Sequence, residues 1–555
     1  PDEETEQEPE APSAVTPLDA APDTTEAAVE SAAETPVTEE AAPATEATEP
    51  AASDDATDAE QQAAAEPPPL PAHPIVAEAR QRLADPEFQK NVDSADLKGL
   101  EAFYNARTDP PLWVSGEGFS SKAQDFIAEI EKADDWGLDA SAFHLPPPND
   151  LLATQNAQAD DELMLSAAIL KYARHAQGGR RTPSKISPLF DQKPPIEDAD
   201  TVLTGAANAT DASAYLASLH PQHEQFKRLR EALLKARAKA EADGKDPNTD
   251  RDVQLITINM ERWRWMPRSL GAYHVWNNVP AFNTRVVKNG KTIYTAKTIV
   301  GQFKYATPFF SSPMRNIVFH PDWTVPTTIL KEDLAPRLQG PRGFFGNSNT
   351  EILRQHDLRV SFKGEPVDPD EVDWNNVNIH QFTFTQPPGP ANVLGELKFN
   401  FPNSHAIYMH DTPQRELFAE RVRTLSHGCI RVNEPSRLAA VLLGEDKGWS
   451  QARVDSLLAG NESTVVPLNR PVPVHLTYFT AVVDEDGKLE KLGDIYGIDN
   501  RMAAAFFKKP VRFEVPATPA IAEAGSAPQG PQGRDARRAR GGGGLDDLIS
   551  GLFGN

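Results

Sequence analysis

With 555 residues the chain is several times longer than the roughly 150 of an average domain, which excludes a single hydrophobic core. Its 55 Lys and Arg against 81 Asp and Glu leave a net charge of −26, of which −20 lies in residues 1–70 (20 acidic and no basic side chains) and −6 in the rest; no basic stripe is left to displace phosphate counterions, so a nucleic-acid-binding role is excluded. Mean hydropathy is −0.50 and no apolar run approaches the roughly 20 residues of a membrane-spanning helix, so an integral span is excluded for this chain.

Residues 1–72 are mainly Ala, Pro, Glu, Asp and Thr. They cannot bury enough apolar surface to offset backbone entropy and read as a disordered, self-repelling acidic spacer, with an acidic recognition tail as the alternative. The chain opens on Pro1 rather than Met, which suggests a processed product whose export signal has been removed. From 73 to 250 the apolar period is helical, predicting a helical scaffold domain. Ser94 is placed to cap a helix with Leu97, Leu100 and Phe103 on one face, and further helices are predicted over Ser121–Asp135, Asp161–His175 and His223–Ala242. Trp113, Trp136 and Phe143 are expected to pack between these helices, a ligand platform being the alternative.

Near residue 250 the period becomes alternating, and 251–515 reads as a mostly β domain with a few helices. Strands are predicted at Val253–Met260, His274–Val279, Thr284–Lys288, Lys291–Val300, Asn316–His320, Val377–Thr385, Ala406–His410 and Val472–Val483, with a hairpin turn at Asn289-Gly290. Helices are predicted at Pro413–Glu420, Pro435–Leu443 and Ser450–Leu458. The turn-rich stretch 322–376 reads as an insertion lying over the sheet. Residues 516–555 form a second disordered tail, in which Arg534, Arg537, Arg538 and Arg540 precede a short apolar turn; a solvated tail is the expectation and contact with an anionic membrane surface the alternative. The fold class is α+β, with no internal repeat.

The chemistry concentrates in Ile407-Tyr408-Met409-His410-Asp411-Thr412-Pro413, followed sixteen residues after His410 by Ser426-His427-Gly428-Cys429-Ile430-Arg431-Val432. Cys429 is the single cysteine, so no intramolecular disulfide can form. A thiol attacks acyl carbon only when deprotonated, which needs a base in hydrogen-bond reach and a third group to orient the imidazole. His410 ends a strand-like run that can hold a ring in place. Gly428 lets backbone N–H groups approach an oxyanion, and Arg431 is positioned to hold a carboxylate or to steady the local structure. A lone cysteine is ordinarily inert core, but this one is flanked by His427, Gly428 and Arg431. A zinc site would draw on His405, His410, His427 and Cys429, which lack the close-spaced ligand pair of structural zinc sites. No metal is assigned.

HDTP followed by LSHGCIRV resembles the active-site signature of the L,D-transpeptidases, the YkuD-type catalytic domain. The likeness extends to residues 256–267, 299–310, 321–330, 386–413 and 475–489, which resemble the large periplasmic subfamily typified by YcbB, and to 100–114 and Leu219-His220-Pro221, which resemble its scaffold. The resemblance implies that 251–515 is the catalytic domain, that 322–376 is its capping insertion, and that no cofactor takes part. It implies that Cys429 is the nucleophile and His410 the proton carrier, held by the backbone carbonyl of Asp411. Gly428 and Cys429 amides would form the oxyanion hole, Tyr408 and Arg431 would line the donor site, and Ser426 and His427 would shape the loop, His427 with either a structural or a catalytic part. Trp323 and Phe344-Phe345 would cover the site, or serve as core of the insertion. The implied partners are peptidoglycan tetrapeptide stems as donor and acceptor in the periplasm, giving 3→3 cross-links; an envelope protein or water as acceptor are the alternatives. The peptidoglycan-binding module that many such proteins carry between scaffold and catalytic domain has no room between Arg237 and Arg251.

Overall fold

The computed structural model describes residues 72–115, 118–147, 154–339 and 349–516. The acidic segment, the arginine-rich tail and Phe344-Phe345 lie outside the described residues.

The N-terminal part is helical: α1 (Pro74–Leu83), α2 (Ser94–Ala106), α3 (Ser121–Ile130), α4 (Gln155–Ala176), α5 (Ala199–Asn208), α6 (Ala212–Ser218) and α7 (Glu224–Ala242), joined by turns. Val76, Leu100, Phe126, Leu163, Ile169 and Leu203 lie in one apolar core with α4 through it. Asp93, rather than Ser94, occupies the N-cap position of α2, and its carboxylate is drawn away to Lys171 and Arg174; Ser94 is the first helical residue. Trp113 packs edge-on against Phe126 with its indole N–H on Ser166 (2.7 Å), and Phe143 lies against Tyr172. Trp136 stacks on His220 at 4.3 Å, and the Arg230 guanidinium lies 3.8 Å from its ring centroid. All three aromatics are thus packing residues.

The stretch Val253–Met260, expected as a strand, is the middle of helix α8 (Arg251–Arg264). Asp250 caps it, accepting from the amides of Asp252 (2.8 Å) and Val253 (3.1 Å). Every residue from Val253 to Arg264 is buried, because α8 runs between α7 and the β domain. A helix covered on all sides has no polar face and shows no 3.6-residue period, so the β-branched residues Val253, Ile256, Thr257 and Ile258 mimic a strand. In its C-terminal half, Arg262 meets Asp499 at 2.5 Å and Thr480 at 2.9 Å, tying α8 to the segment that follows the last barrel strand.

The β domain begins with β1 (Tyr273–Asn278), β2 (Asn283–Lys288), β3 (Lys291–Gly301) and β4 (Phe310–Phe319), with the expected turn at Asn289-Gly290, both in the left-handed region. Next come β5 (Trp323–Thr324), β6 (Arg359–Phe362), β7 (Glu365–Pro366) and β8 (Phe382–Gln386). After them run β9 (Leu397–Asn400), β10 (Met409–His410), β11 (Thr424–Ser426), β12 (Ile430–Val432) and β13 (Thr464–Thr477). One sheet of nine strands runs β11-β3-β12-β10-β9-β4-β13-β1-β2, and β2 also pairs with β3, so it closes into a barrel. Helices α9 (Pro435–Lys447) and α10 (Gln451–Leu458) follow β12, and α11 (Ile498–Phe506) comes last. The insertion has its own sheet, β5-β8-β6-β7, and its own core around Trp323, Leu338, Trp374 and Phe384.

Three expectations are adjusted. The insertion takes in β8 and reaches Leu394, because Phe384 and Val393 complete its core. The strand at 377–385 begins at Phe382, after a 3₁₀ turn. Residues 415–419 form a 3₁₀ turn in place of an α-helix.

The Arg262–Asp499 pair is buried on both sides (side chains 2% and 3% exposed). Arg262→Met should therefore leave an uncompensated buried carboxylate and lower the unfolding free energy by about 3–5 kcal/mol in urea denaturation, with much of the loss recovered in Arg262→Met/Asp499→Leu.

Candidate active site

Strand register assembles the site. Antiparallel β9–β10 pairing sets Lys398 opposite His410, and parallel β10–β12 pairing sets His410 beside Arg431. Side chains alternate along a strand, so Tyr408 and Cys429, two residues before His410 and Arg431, share their face. Met409, Ile430 and Phe399 point the other way, into the barrel core. The reacting face floors a cleft of about 730 Å³ that includes Tyr408, His410, Ser426, His427, Gly428, Cys429 and Arg431. Trp323 and Ile329 of the insertion form one wall, and Pro188 and Leu189 of the scaffold part of the rim.

His410 is buried, and its Nδ1–H donates to the backbone carbonyl of Asp411 at 2.5 Å, which leaves Nε2 with the lone pair. Burial, reinforced by the charges of Arg431 and Lys398, pushes the imidazole down to about 3. Burial likewise raises the Cys429 thiol above its ordinary value, while Tyr408, Lys398 and Arg431 pull it back. The resting pair is thus neutral thiol and neutral imidazole. The sulfur is part-exposed at the cleft floor and turns toward the Ala406 carbonyl (3.9 Å) and Tyr408 rather than to Nε2. Catalytic hydrogen bonds of this type commonly tighten only once substrate is bound.

The loop before Cys429 is held from both sides. Gly428 has φ +110°, and a Cβ there would come within 3.2 Å of Ile407, so this position favours glycine. Its carbonyl accepts from Thr307 (2.8 Å) and its N–H donates to Ser426 Oγ at 3.1 Å; that hydroxyl in turn donates to the Cys429 carbonyl at 2.6 Å. Without substrate the Gly428 amide is thus engaged by the Ser426 hydroxyl. Asp411 has two duties: its carbonyl orients His410, and its carboxylate accepts from the Glu396 amide (3.0 Å) and from Arg415 (3.2 Å). Gly395 makes that approach possible, since a Cβ there would sit 2.3 Å from Asp411 Oδ2.

Arg431 is buried, donates to the Gln414 side-chain carbonyl at 2.7 Å, and is lowered by desolvation to about 10. Trp323 is part of the insertion core and also hydrogen-bonds the Tyr408 hydroxyl, which acts on the Cys429 sulfur. His427 stacks on Tyr305 (4.4 Å), with Asp333 of the insertion at 3.7 Å; burial lowers it to about 4. Glu332 accepts from Tyr305 (2.5 Å) and from Lys304, fastening the insertion to the barrel. His405, which also lines the cleft, pairs with Asp191 of the scaffold at 2.9 Å. Lys398, Tyr305, Thr307, Gln414 and Asp191 were not singled out from sequence; they meet the motif across strands and loops, and no local spacing marks them.

The barrel and its cleft define a cysteine–histidine site suited to acyl transfer. In comparison with known proteins, residues 272–461 match the L,D-transpeptidase catalytic domain (YkuD) and residues 98–233 match the Scaffold domain. The chain is 28% identical over 410 residues to a Haemophilus influenzae protein named "Putative L,D-transpeptidase", covering 73% of this chain and 79% of that protein. L,D-transpeptidase 1 of Mycobacterium tuberculosis aligns at 14% identity over 37% of this chain and 61% of its own, with a TM-score of 0.16. The chain carries an L,D-transpeptidase catalytic domain of the YkuD type behind an N-terminal scaffold domain. No helix among the described residues is long and apolar enough to cross a membrane.

With the thiol raised and the imidazole held neutral, alkylation of Cys429 by iodoacetamide should climb steadily into the alkaline range. A rate plateau at mildly acidic pH would instead indicate a preformed thiolate–imidazolium pair.

Proposed function

We propose that this enzyme is a periplasmic, cross-linking L,D-transpeptidase of the YcbB-like subfamily, acting on peptidoglycan stems. The observation that carries the reading is the shared face of Cys429, His410 and Arg431, with the His410 tautomer set by the Asp411 carbonyl. In the first step the Cys429 sulfur leaves the Ala406 carbonyl and gives its proton to His410 Nε2 as it attacks the L-centre carbonyl of a tetrapeptide stem. The Cys429 amide, which has no acceptor among the described residues, takes the oxyanion, joined by the Gly428 amide as the Ser426 hydroxyl releases it. The C–N bond then breaks, Nε2 returns the proton to the departing nitrogen, and D-Ala leaves a thioester behind.

In the second step an amine of another stem attacks the thioester, its proton passes through His410 to the released thiolate, and a 3→3 cross-link forms. Transfer outruns hydrolysis only if water is kept from the thioester. Trp323, Val325 and Ile329 on the insertion wall serve that purpose. Eight residues, 243–250, separate α7 from α8, so the scaffold and the cleft themselves engage the wall.

The full chain incubated with tetrapeptide muropeptides should yield new 3→3 dimers by mass spectrometry, and Cys429→Ala none. Tripeptides without dimers would point to water as acceptor, and dimers formed only with an added protein amine to an envelope acceptor; either result would overturn the cross-linking reading. His410→Ala should lower the acylation rate by about a hundredfold or more with the fold retained.

A further inference from the structure

Lys398 takes no part in the scheme above, yet it stands in the same row. It is the register partner of His410, it leaves β9 on the reacting face, and it lines the cleft. Its neighbours Leu397 and Phe399 are buried in the barrel core on the opposite face, so the register cannot slip to turn it away. Its ammonium lies 4.3 Å from the centroid of the Tyr408 ring. Among the described residues it has no carboxylate partner and no hydrogen-bond acceptor. Desolvation lowers its pKa from the ordinary lysine value, as for a cation held without a counter-charge.

The cleft as a whole is short of negative charge. Asp322 is the single carboxylate among the residues that line it, against Lys398 and Arg431. Arg431 leans on a neutral amide, and its Nε has no partner. Partly buried cations are ordinarily paired, so the missing anion belongs to a ligand.

The order of strands says which part of the ligand. In the acyl-transfer step the scissile carbon meets Cys429, and the scissile nitrogen must reach His410 to take its proton. The residue that departs with that nitrogen extends past His410, where the next strand, about 4.8 Å on, is β9 carrying Lys398. In an α-amino acid the carboxylate carbon is two bonds from the nitrogen, within reach of a lysine side chain. We infer that Lys398 is the recognition residue for the terminal carboxylate of the departing amino acid, and that the enzyme selects donors ending in a free carboxylate. This rests on the transpeptidase reading and adds leaving-group specificity to it.

The test uses two donors, a tetrapeptide stem with a free C-terminus and its C-terminal carboxamide, with the full chain and release of the last residue measured by mass spectrometry. Wild type should show kcat/KM lower by about tenfold or more on the carboxamide, the scale of one lost charge-assisted hydrogen bond. Lys398→Met, which keeps the length of the side chain over Tyr408, should lower kcat/KM on the free acid by about tenfold more than on the carboxamide, any change in the thiol–imidazole pair being common to both donors. Lys398→Arg should retain the preference. Equal losses on both donors in Lys398→Met, or a wild type indifferent to amidation, would overturn the assignment; the wild-type arm stands even if a variant misfolds. Release from neither donor by wild type would instead sink the transpeptidase reading itself.

Discussion

Register across β9, β10 and β12 is the constraint on which the site depends. Met409, Ile430, Leu397 and Phe399 occupy the barrel core, alongside Leu438 and Leu442 of α9. Each such side chain contributes on the order of 1.5–3 kcal/mol on burial, so the core face of these short strands is strongly specified. A shift of one residue would put Met409 and Ile430 into the cleft and draw His410 and Cys429 toward the core. The reactive residues are therefore placed by apolar neighbours that take no part in the chemistry.

Burial is the largest influence on the thiol and the imidazole, so their electrostatics follow from desolvation first and partners second. Both members of the thiol–imidazole pair are pushed toward their neutral forms by burial. The cations Arg431 and Lys398 disfavour imidazolium and favour thiolate, but burial outweighs them on the sulfur. Such a site holds its charge in reserve: the proton moves when substrate arrives, and Arg431 and Lys398 then gain the anion they lack. The insertion is coupled to this chemistry physically, through Trp323 on Tyr408 and through Glu332 on Tyr305 and Lys304.

The scaffold contributes to the same architecture. Its Asp191 amide donates to the Phe309 carbonyl (2.9 Å), and the Phe309 amide donates to Leu189 (2.7 Å), so a scaffold segment runs alongside β4 at the rim of the cleft. The Asp191 carboxylate also holds His405, two residues before Ile407. Helix α8, with Arg262 on Asp499, ties the helical part and the barrel together through a buried ion pair. Loss of scaffold packing would reach the substrate cleft by these routes.

Strands with one buried and one wetter face were readable as alternating patterns, Thr284–Lys288 and Lys291–Val300 among them, and so was α7 with its polar outer side. α8 was not, because burial on all sides removes the pattern that distinguishes a helix from a strand. The sequence by itself determined the reactive vocabulary: a single thiol beside glycine, an upstream histidine on a short strand, and an arginine two residues on. Gly428, Cys429 and Arg431 lie within a few positions of one another and His410 nineteen residues upstream, close enough for local spacing to carry meaning. Tertiary structure alone decided that the Gly428 amide goes to Ser426 and that Lys398 joins His410 and Arg431 in one row. Contacts of that kind depend on strand register and loop closure between distant segments, and the burial that enforces them exists only in the folded barrel.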